Sequence, residues 1–133
     1  MVESKPTIGY WGIRGLGQYA RYVFEAAGVE YVDKRYTDGT EWFGKDKPAS
    51  PCLLPNLPYF TYKNVAISES DSIVRQAARI FKPELLGKSD AEQALVDNIF
   101  SFVMKWNAKL RTLSYQADVT DEQRAKALSE SAV

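Results

Sequence analysis

Apolar and polar positions change period several times along the chain, and each change marks an element. Pro6 can only open a strand, and Thr7-Ile8-Gly9-Tyr10-Trp11 favours one. Gly12 and Gly15 break it. Leu16, Tyr19, Ala20, Val23, Phe24 and Ala27 then recur at spacings of three and four, which predicts a helix over 16–27 with Gly28 at its C-cap. A second strand is expected over 31–36, with Val32 among aromatic residues. Thr37-Asp38-Gly39-Thr40 is turn chemistry, and 41–47 reads as one irregular helical turn carrying Trp42. Pro48, Pro51, Pro55 and Pro58 make 47–58 a loop. Strands over 59–62 and 65–67 form a hairpin around Lys63-Asn64. Ser68-Glu69-Ser70 then opens a helix whose buried face is Ile73, Val74, Ala77, Ala78 and Phe81, and Pro83 ends it.

The resulting order, β-α-β-(short α)-β-β-α, is that of a thioredoxin-like unit, so the fold class is α/β over residues 1–82. A linker is expected over 83–89, and a partial all-α domain over 90–133. Ser89-Asp90-Ala91-Glu92 reads as a capping box that starts a long helix to about Tyr115. Along it, Leu95, Ile99, Phe102, Trp106, Leu110 and Leu113 form one apolar stripe, and Val96, Phe100 and Val103 a second. A helix apolar on two sides wants neighbours on two sides. A further capping box, Thr120-Asp121-Glu122-Gln123, starts a last helix that runs to Val133. Burying six such side chains at about 1.5–3 kcal/mol each exceeds the net stability of a small domain. Cover is therefore expected from a homodimer partner, a different protein, or residues outside this chain.

Composition narrows the function classes. The 133 residues carry 17 basic and 17 acidic side chains, and zero net charge argues against nucleic acid or an anionic membrane as the main partner. No apolar run approaches the ~20 residues of a membrane span. The first residues, Met-Val-Glu-Ser-Lys, lack the apolar core of a signal peptide, and a single Cys, Cys52, fits a reducing compartment. A cytoplasmic location is expected. The absence of His removes Ser-His-Asp and Cys-His catalysis and the usual zinc sites, so no metal is expected. A thiol–disulfide oxidoreductase is disfavoured, because no Cys-x-x-Cys follows the first strand.

The remaining chemistry sits at a few positions. Tyr10 falls at the C-terminal end of a strand that feeds a helix, the edge where α/β sheets bind ligands. Taken alone it reads as a core or half-buried strand tyrosine before it reads as a catalytic one. Pro58 precedes a strand and, on its residue type alone, reads as a trans turn residue; if Leu57-Pro58 is instead cis, the Leu57 backbone offers free N–H and C=O groups to a peptide-like ligand. Ser70 either caps a helix or, with the helix N-terminal amides, binds a carboxylate. Trp42 and Lys45 are rim candidates, with solvated loop positions as the alternative.

The stretch Ile8-Gly9-Tyr10-Trp11-Gly12-Ile13-Arg14-Gly15-Leu16, together with Leu54-Pro55-Asn56-Leu57-Pro58-Tyr59, resembles the cytosolic glutathione transferases, with the mu class nearest. The likeness runs from about Pro6 onward. It implies a thioredoxin-like glutathione-binding domain followed by a helical domain, with glutathione as co-substrate and no cofactor. It implies that Tyr10 stabilises the glutathione thiolate, that Trp11 and Leu16 line the sites, and that Trp42, with Lys45 nearby, meets the glycyl end. Asn56 and Leu57 match the residues that hold the cysteinyl backbone, with Pro58 as the cis proline. Glu69 and Ser70 match the γ-glutamyl pair, and Tyr115 a tyrosine facing the electrophile. Leu54 and Arg75 match positions at the dimer interface. Departures are Glu69 where mu members carry Gln, Gly39 near a missing arginine, Asp46 in place of a lysine, and Leu54 in place of a larger aromatic key. The resemblance implies conjugation of glutathione to small electrophiles by a homodimer. The alternative is a non-catalytic domain of the same fold serving as a structural subunit of a larger assembly.

Overall fold

The computed structural model describes residues 4–130. Met1-Val2-Glu3, the first part of the Met-Val-Glu-Ser-Lys stretch expected to lack a signal peptide's apolar core, and the extension of the last helix to Val133 lie outside the described residues. Within them the chain forms two units, divided between Leu86 and Gly87.

The first unit is a thioredoxin-like α/β domain built on a four-stranded sheet. The elements are β1 (Thr7–Trp11), a 3₁₀ turn (Gly15–Gly17), α1 (Gln18–Ala27), β2 (Val32–Tyr36), α2 (Gly39–Glu41) continued by a wide π-type turn (Trp42–Asp46), β3 (Tyr59–Tyr62), β4 (Val65–Ser68) and α3 (Ser70–Phe81). The spatial order is β2-β1-β3-β4, with β1 parallel to β2 and antiparallel to β3, and β3 antiparallel to β4. Gly28, in the left-handed conformation at φ 65°, caps α1.

The core lies between the sheet and the pair α1 and α3. Ile8, Phe24, Phe60, Ile73 and Ala77 are fully buried there. Phe24 is its centre, with ring centroids 4.8 Å from Tyr31, 5.9 Å from Phe60 and 5.8 Å from Phe81. The alternation of β3 explains the arrangement: Phe60 enters this core while Tyr59 turns to the other face. There Tyr59 lies across Gly9 so closely that a methyl group on Gly9 would sit 2.1 Å from its ring.

Two expected element starts, those of α1 and β2, are corrected. Helix α1 begins at Gln18, because Leu16 belongs to the preceding 3₁₀ turn. Strand β2 begins at Val32, which is exposed, and lies at the edge of the sheet. The expected linker over 83–89 contains a 3₁₀ turn (Pro83–Leu86), and Leu86 packs on the first core.

The second unit holds α4 (Asp90–Tyr115) and α5 (Asp121–Ser129). The box read at Ser89 is only half formed. Ser89 Oγ accepts the Glu92 N–H at 3.3 Å, but the Glu92 carboxylate takes the Lys88 N–H at 2.6 Å. At Thr120 both arms are present: its hydroxyl accepts the Gln123 N–H at 3.2 Å, and Gln123 Oε1 accepts the Thr120 N–H at 2.9 Å. No residue of α4 is buried, and Leu95, Ile99, Phe102 and Trp106 are exposed. No helix among the described residues is long and apolar enough to cross a membrane.

Candidate functional site

A second cluster of buried side chains forms where β1 ends. Tyr10, Tyr36, Trp42 and Leu57 pack together, with Trp11, Leu16 and Tyr59 against them. Five of the residues singled out from the sequence, Tyr10, Trp11, Leu16, Trp42 and Leu57, thus converge at the C-terminal end of the central strand.

Tyr10 is held by the turn that follows it. The Gly12 N–H donates to the Tyr36 carbonyl at 2.8 Å, which ties this turn to the end of β2. Gly15, at φ +38°, passes so near the phenol that a methyl group there would lie 2.8 Å from its oxygen. A methyl group on Gly17 would lie 2.8 Å from Tyr10 Cβ, Cγ and Cδ1. Two residues without side chains therefore wall the tyrosine from its hydroxyl to its Cβ.

The Leu57–Pro58 peptide is cis, and Pro58 is fully buried. Asn56, just before it, is exposed. The loop carrying these residues is pinned to β4, since the Ser68 hydroxyl donates to the Leu54 carbonyl. Leu54 itself is exposed. Directly after Ser68, Glu69 occupies the N-cap of α3 at φ 70° and ψ 116°, an uncommon conformation for a residue with a side chain. The reading of Ser70 as N-cap is thereby corrected: Glu69 holds that position without a side-chain cap bond, and Ser70 is the buried first residue of the helix. Arg75, one turn on, pairs with Asp71 at 3.3 Å.

The rim reading of Trp42 is also corrected. Its indole is buried, stacked on Tyr59 at 5.8 Å and edge-on to Tyr36 at 5.5 Å. Lys45 is exposed. Phe43, next to Trp42, is exposed and lies 6.2 Å from the Trp11 ring. Tyr115 is the last residue of α4 and is exposed.

Polar contacts that sequence reasoning missed hold these pieces in place. Tyr36 donates its hydroxyl to Asp46 at 2.6 Å and lies 3.3 Å from the Tyr59 hydroxyl. Lys34 also donates to Asp46, and pairs with Glu41 at 3.1 Å. Burial, then the bonds to Asp46 and Tyr59, push the Tyr36 phenol well above its ordinary range. The Lys34 and Tyr36 hydrogen bonds hold the Asp46 carboxyl below its ordinary 3.8. The same Asp46 bond raises Lys34. Asp46 thus clamps the π-type turn carrying Trp42 onto the sheet.

Arg21 was missed as well. It is buried on α1 and donates from Nε to Asp33 at 3.1 Å. Its Nη1 donates to the carbonyls of Ile13 at 3.1 Å and Arg14 at 3.4 Å, and to Gln18 Oε1 at 3.2 Å. The available signal was a charge set between Ala20 and Val23 on an apolar helix face. No group of three or more metal-ligating side chains occurs among the described residues.

The family described as "Glutathione S-transferase, N-terminal domain" matches residues 6–79. A glutathione S-transferase of Tyrophagus putrescentiae is 34% identical over 119 residues, covering 86% of this chain and 53% of that protein. Glutathione S-transferase Mu 3 of Homo sapiens is 34% identical over 123 residues, covering 87% of this chain and 53% of that protein. The chain therefore spans about half the length of these curated relatives. Among solved structures, the glutathione S-transferase of Ascaris lumbricoides superposes with a TM-score of 0.78 at 29% identity, covering 96% of this chain and 63% of that one. A Nu-class enzyme of Haemonchus contortus gives 0.71 at 28% identity, covering 94% and 65%.

Proposed function

The chain belongs to the glutathione S-transferase family, and on that premise we propose that it binds glutathione and activates its thiol through Tyr10 for conjugation to small electrophiles. The observation that carries this reading is the packing of Tyr10 with Leu57 at the end of β1. It sets a phenol beside a backbone edge able to hold a peptide.

The physics is that of acid–base tuning. A thiol near pKa ~8.5 is only a few per cent thiolate at neutral pH, and the thiolate is the nucleophile. A phenol that donates to the sulfur favours the charged form, and each unit of thiol pKa lowered corresponds to about 1.4 kcal/mol. The thiol proton leaves to solvent. The sulfur lone pair then forms a bond to the electrophilic carbon, and with an aryl halide the halide departs with its electron pair. No protein nucleophile, histidine or metal takes part.

Each remaining residue has a role in this proposal. Asn56 and the Leu57 backbone hold the cysteinyl unit, with Pro58 fixing the edge. Ser70 and the N-terminal amides of α3 receive the γ-glutamyl carboxylate, while Glu69 accepts from its ammonium. Trp42 and Lys45 meet the glycyl end, and Trp11 and Leu16 line the cleft. Tyr115 is assigned to the electrophile, and Leu54 and Arg75 to a subunit interface of a homodimer.

The test is retention on immobilised glutathione together with turnover of a chromogenic aryl halide. Tyr10→Phe is expected to keep retention and to lose kcat/KM by on the order of tenfold or more, since one unit of thiol pKa is tenfold in thiolate. Retention without turnover in the unaltered chain would favour a binding domain. Neither, with co-purification in a larger particle, would favour a structural subunit.

A further inference from the structure

Arg21 is an expensive residue to bury. Its side chain is almost wholly out of solvent, and Nη2 is buried without a hydrogen-bond partner. A pair such as Arg21–Asp33 is weak evidence for stability, because desolvation offsets much of its attraction. What distinguishes this guanidinium is where its other bonds go. Nη1 reaches two consecutive carbonyls, Ile13 and Arg14, in the turn between β1 and α1. The next residue, Gly15, is the one that passes 2.8 Å (measured to an added methyl) from the Tyr10 oxygen. Asp33, which takes Nε, belongs to β2, and the same turn is tied to β2 by the Gly12 bond to Tyr36. The guanidinium therefore joins α1, β2 and the turn that walls the phenol.

We propose that Arg21 is a positioning residue for the Tyr10 hydroxyl. By holding the Ile13 and Arg14 carbonyls, it fixes Gly15 against the phenol and so fixes the angle at which the hydroxyl meets a sulfur. This inference rests on the proposed role of Tyr10.

Arg21→Lys keeps the charge, but a single compact ammonium lacks the planar fork that places Nε on Asp33 and Nη1 on the two carbonyls. It should leave the KM for glutathione within about twofold while lowering kcat about fivefold to tenfold. The thiol of bound glutathione, followed by thiolate absorbance against pH, should titrate about half a unit to one unit higher than in the unaltered chain. Arg21→Lys combined with Tyr10→Phe should lose little beyond Tyr10→Phe alone, because both act on one hydrogen bond. Ile13→Gly loosens the same turn while leaving the Arg21 side chain and the carbonyl it binds chemically unchanged, and Ile13 is half exposed, so the variant should fold. It should show the same signature.

Losses that multiply in the double variant would overturn the proposal. So would a lower melting temperature and higher KM with unchanged kcat and thiol titration, or an Ile13→Gly variant with unaltered kcat. If the unaltered chain binds glutathione but its thiol titrates as in free solution, the role of Tyr10 itself falls, and the inference with it.

Discussion

Two tyrosine rings in this domain occupy space that one added methyl group would deny them. Tyr59 lies over Gly9, and Tyr10 lies along Gly15 and Gly17. Gly9→Ala should destabilise the domain by about 1–3 kcal/mol, because its Cβ would meet an aromatic ring packed on Trp42. Urea unfolding read by tryptophan fluorescence measures this, and an unchanged midpoint would mean that the ring moves freely. For comparison, Phe24→Ala should cost about 3–5 kcal/mol in the same assay, since Phe24 is fully buried among three aromatic rings.

At this scale the sequence yielded apolar and aromatic positions far better than charged ones. Tyr10, Trp11, Leu16, Trp42 and Leu57 could be named from the motifs and do meet. Arg21, and the clamping role of Asp46, could not. Asp46 stands in the run Lys45-Asp46-Lys47, which reads as a solvated patch, and its partners Lys34 and Tyr36 lie on a strand far back in the chain. A local pattern carries burial, whereas a polar clamp depends on which distant group happens to face it. Trp42 fails as a rim residue for a related reason. Its burial comes from Tyr36 on a preceding strand and from Tyr59, which the chain reaches only after a proline-rich loop.

Elements were legible where period and punctuation agree. Strand β1, strand β3 and helix α4 have the bounds expected, and Gly28 caps α1. The start of α1 was misplaced because Leu16 has the right spacing but sits in a 3₁₀ turn between two glycines. Helix α2 and its π-type turn could be read only as irregular, because what defines them is tertiary: Asp38 caps Thr40, and Asp46 clamps the far end. That clamp has a pH signature. The Asp46 carboxyl is depressed in the folded state, so its contribution is present above the ordinary 3.8 and is lost as pH falls through the lower folded value. The raised Lys34 and Tyr36 work in the opposite sense, and their contributions are lost as pH climbs above 10.5 and 10.0, respectively. Asp46→Asn should therefore flatten the acid limb of a stability-against-pH profile below about pH 4. An acid limb identical to that of the unaltered chain would remove Asp46 from this role.

At the level of the whole chain the two units differ in how they bury apolar surface. The α/β unit encloses its core, whereas α4 leaves Leu95, Ile99, Phe102 and Trp106 exposed. Ile73→Ala should cost about 2–5 kcal/mol, and Ile99→Gln about 0.5 kcal/mol or less if that face stays in solvent. A large loss from Ile99→Gln would show that another surface covers α4 in solution. The proposed homodimer makes a separate demand on the first unit. Leu54→Glu should shift sedimentation from a two-chain to a one-chain species, since a charge would enter the interface assigned to this exposed residue. Unchanged association would place the interface elsewhere.

In the proposed mechanism the phenol of Tyr10 shares a proton with the sulfur of bound glutathione. The most direct measurement is the thiolate absorbance of the glutathione complex as a function of pH, with and without Tyr10→Phe. The bound thiol should ionise at least one unit below free glutathione and return toward the free value in Tyr10→Phe, while binding persists. A bound thiol that titrates alike in both, or like free glutathione in the unaltered chain, would contradict it.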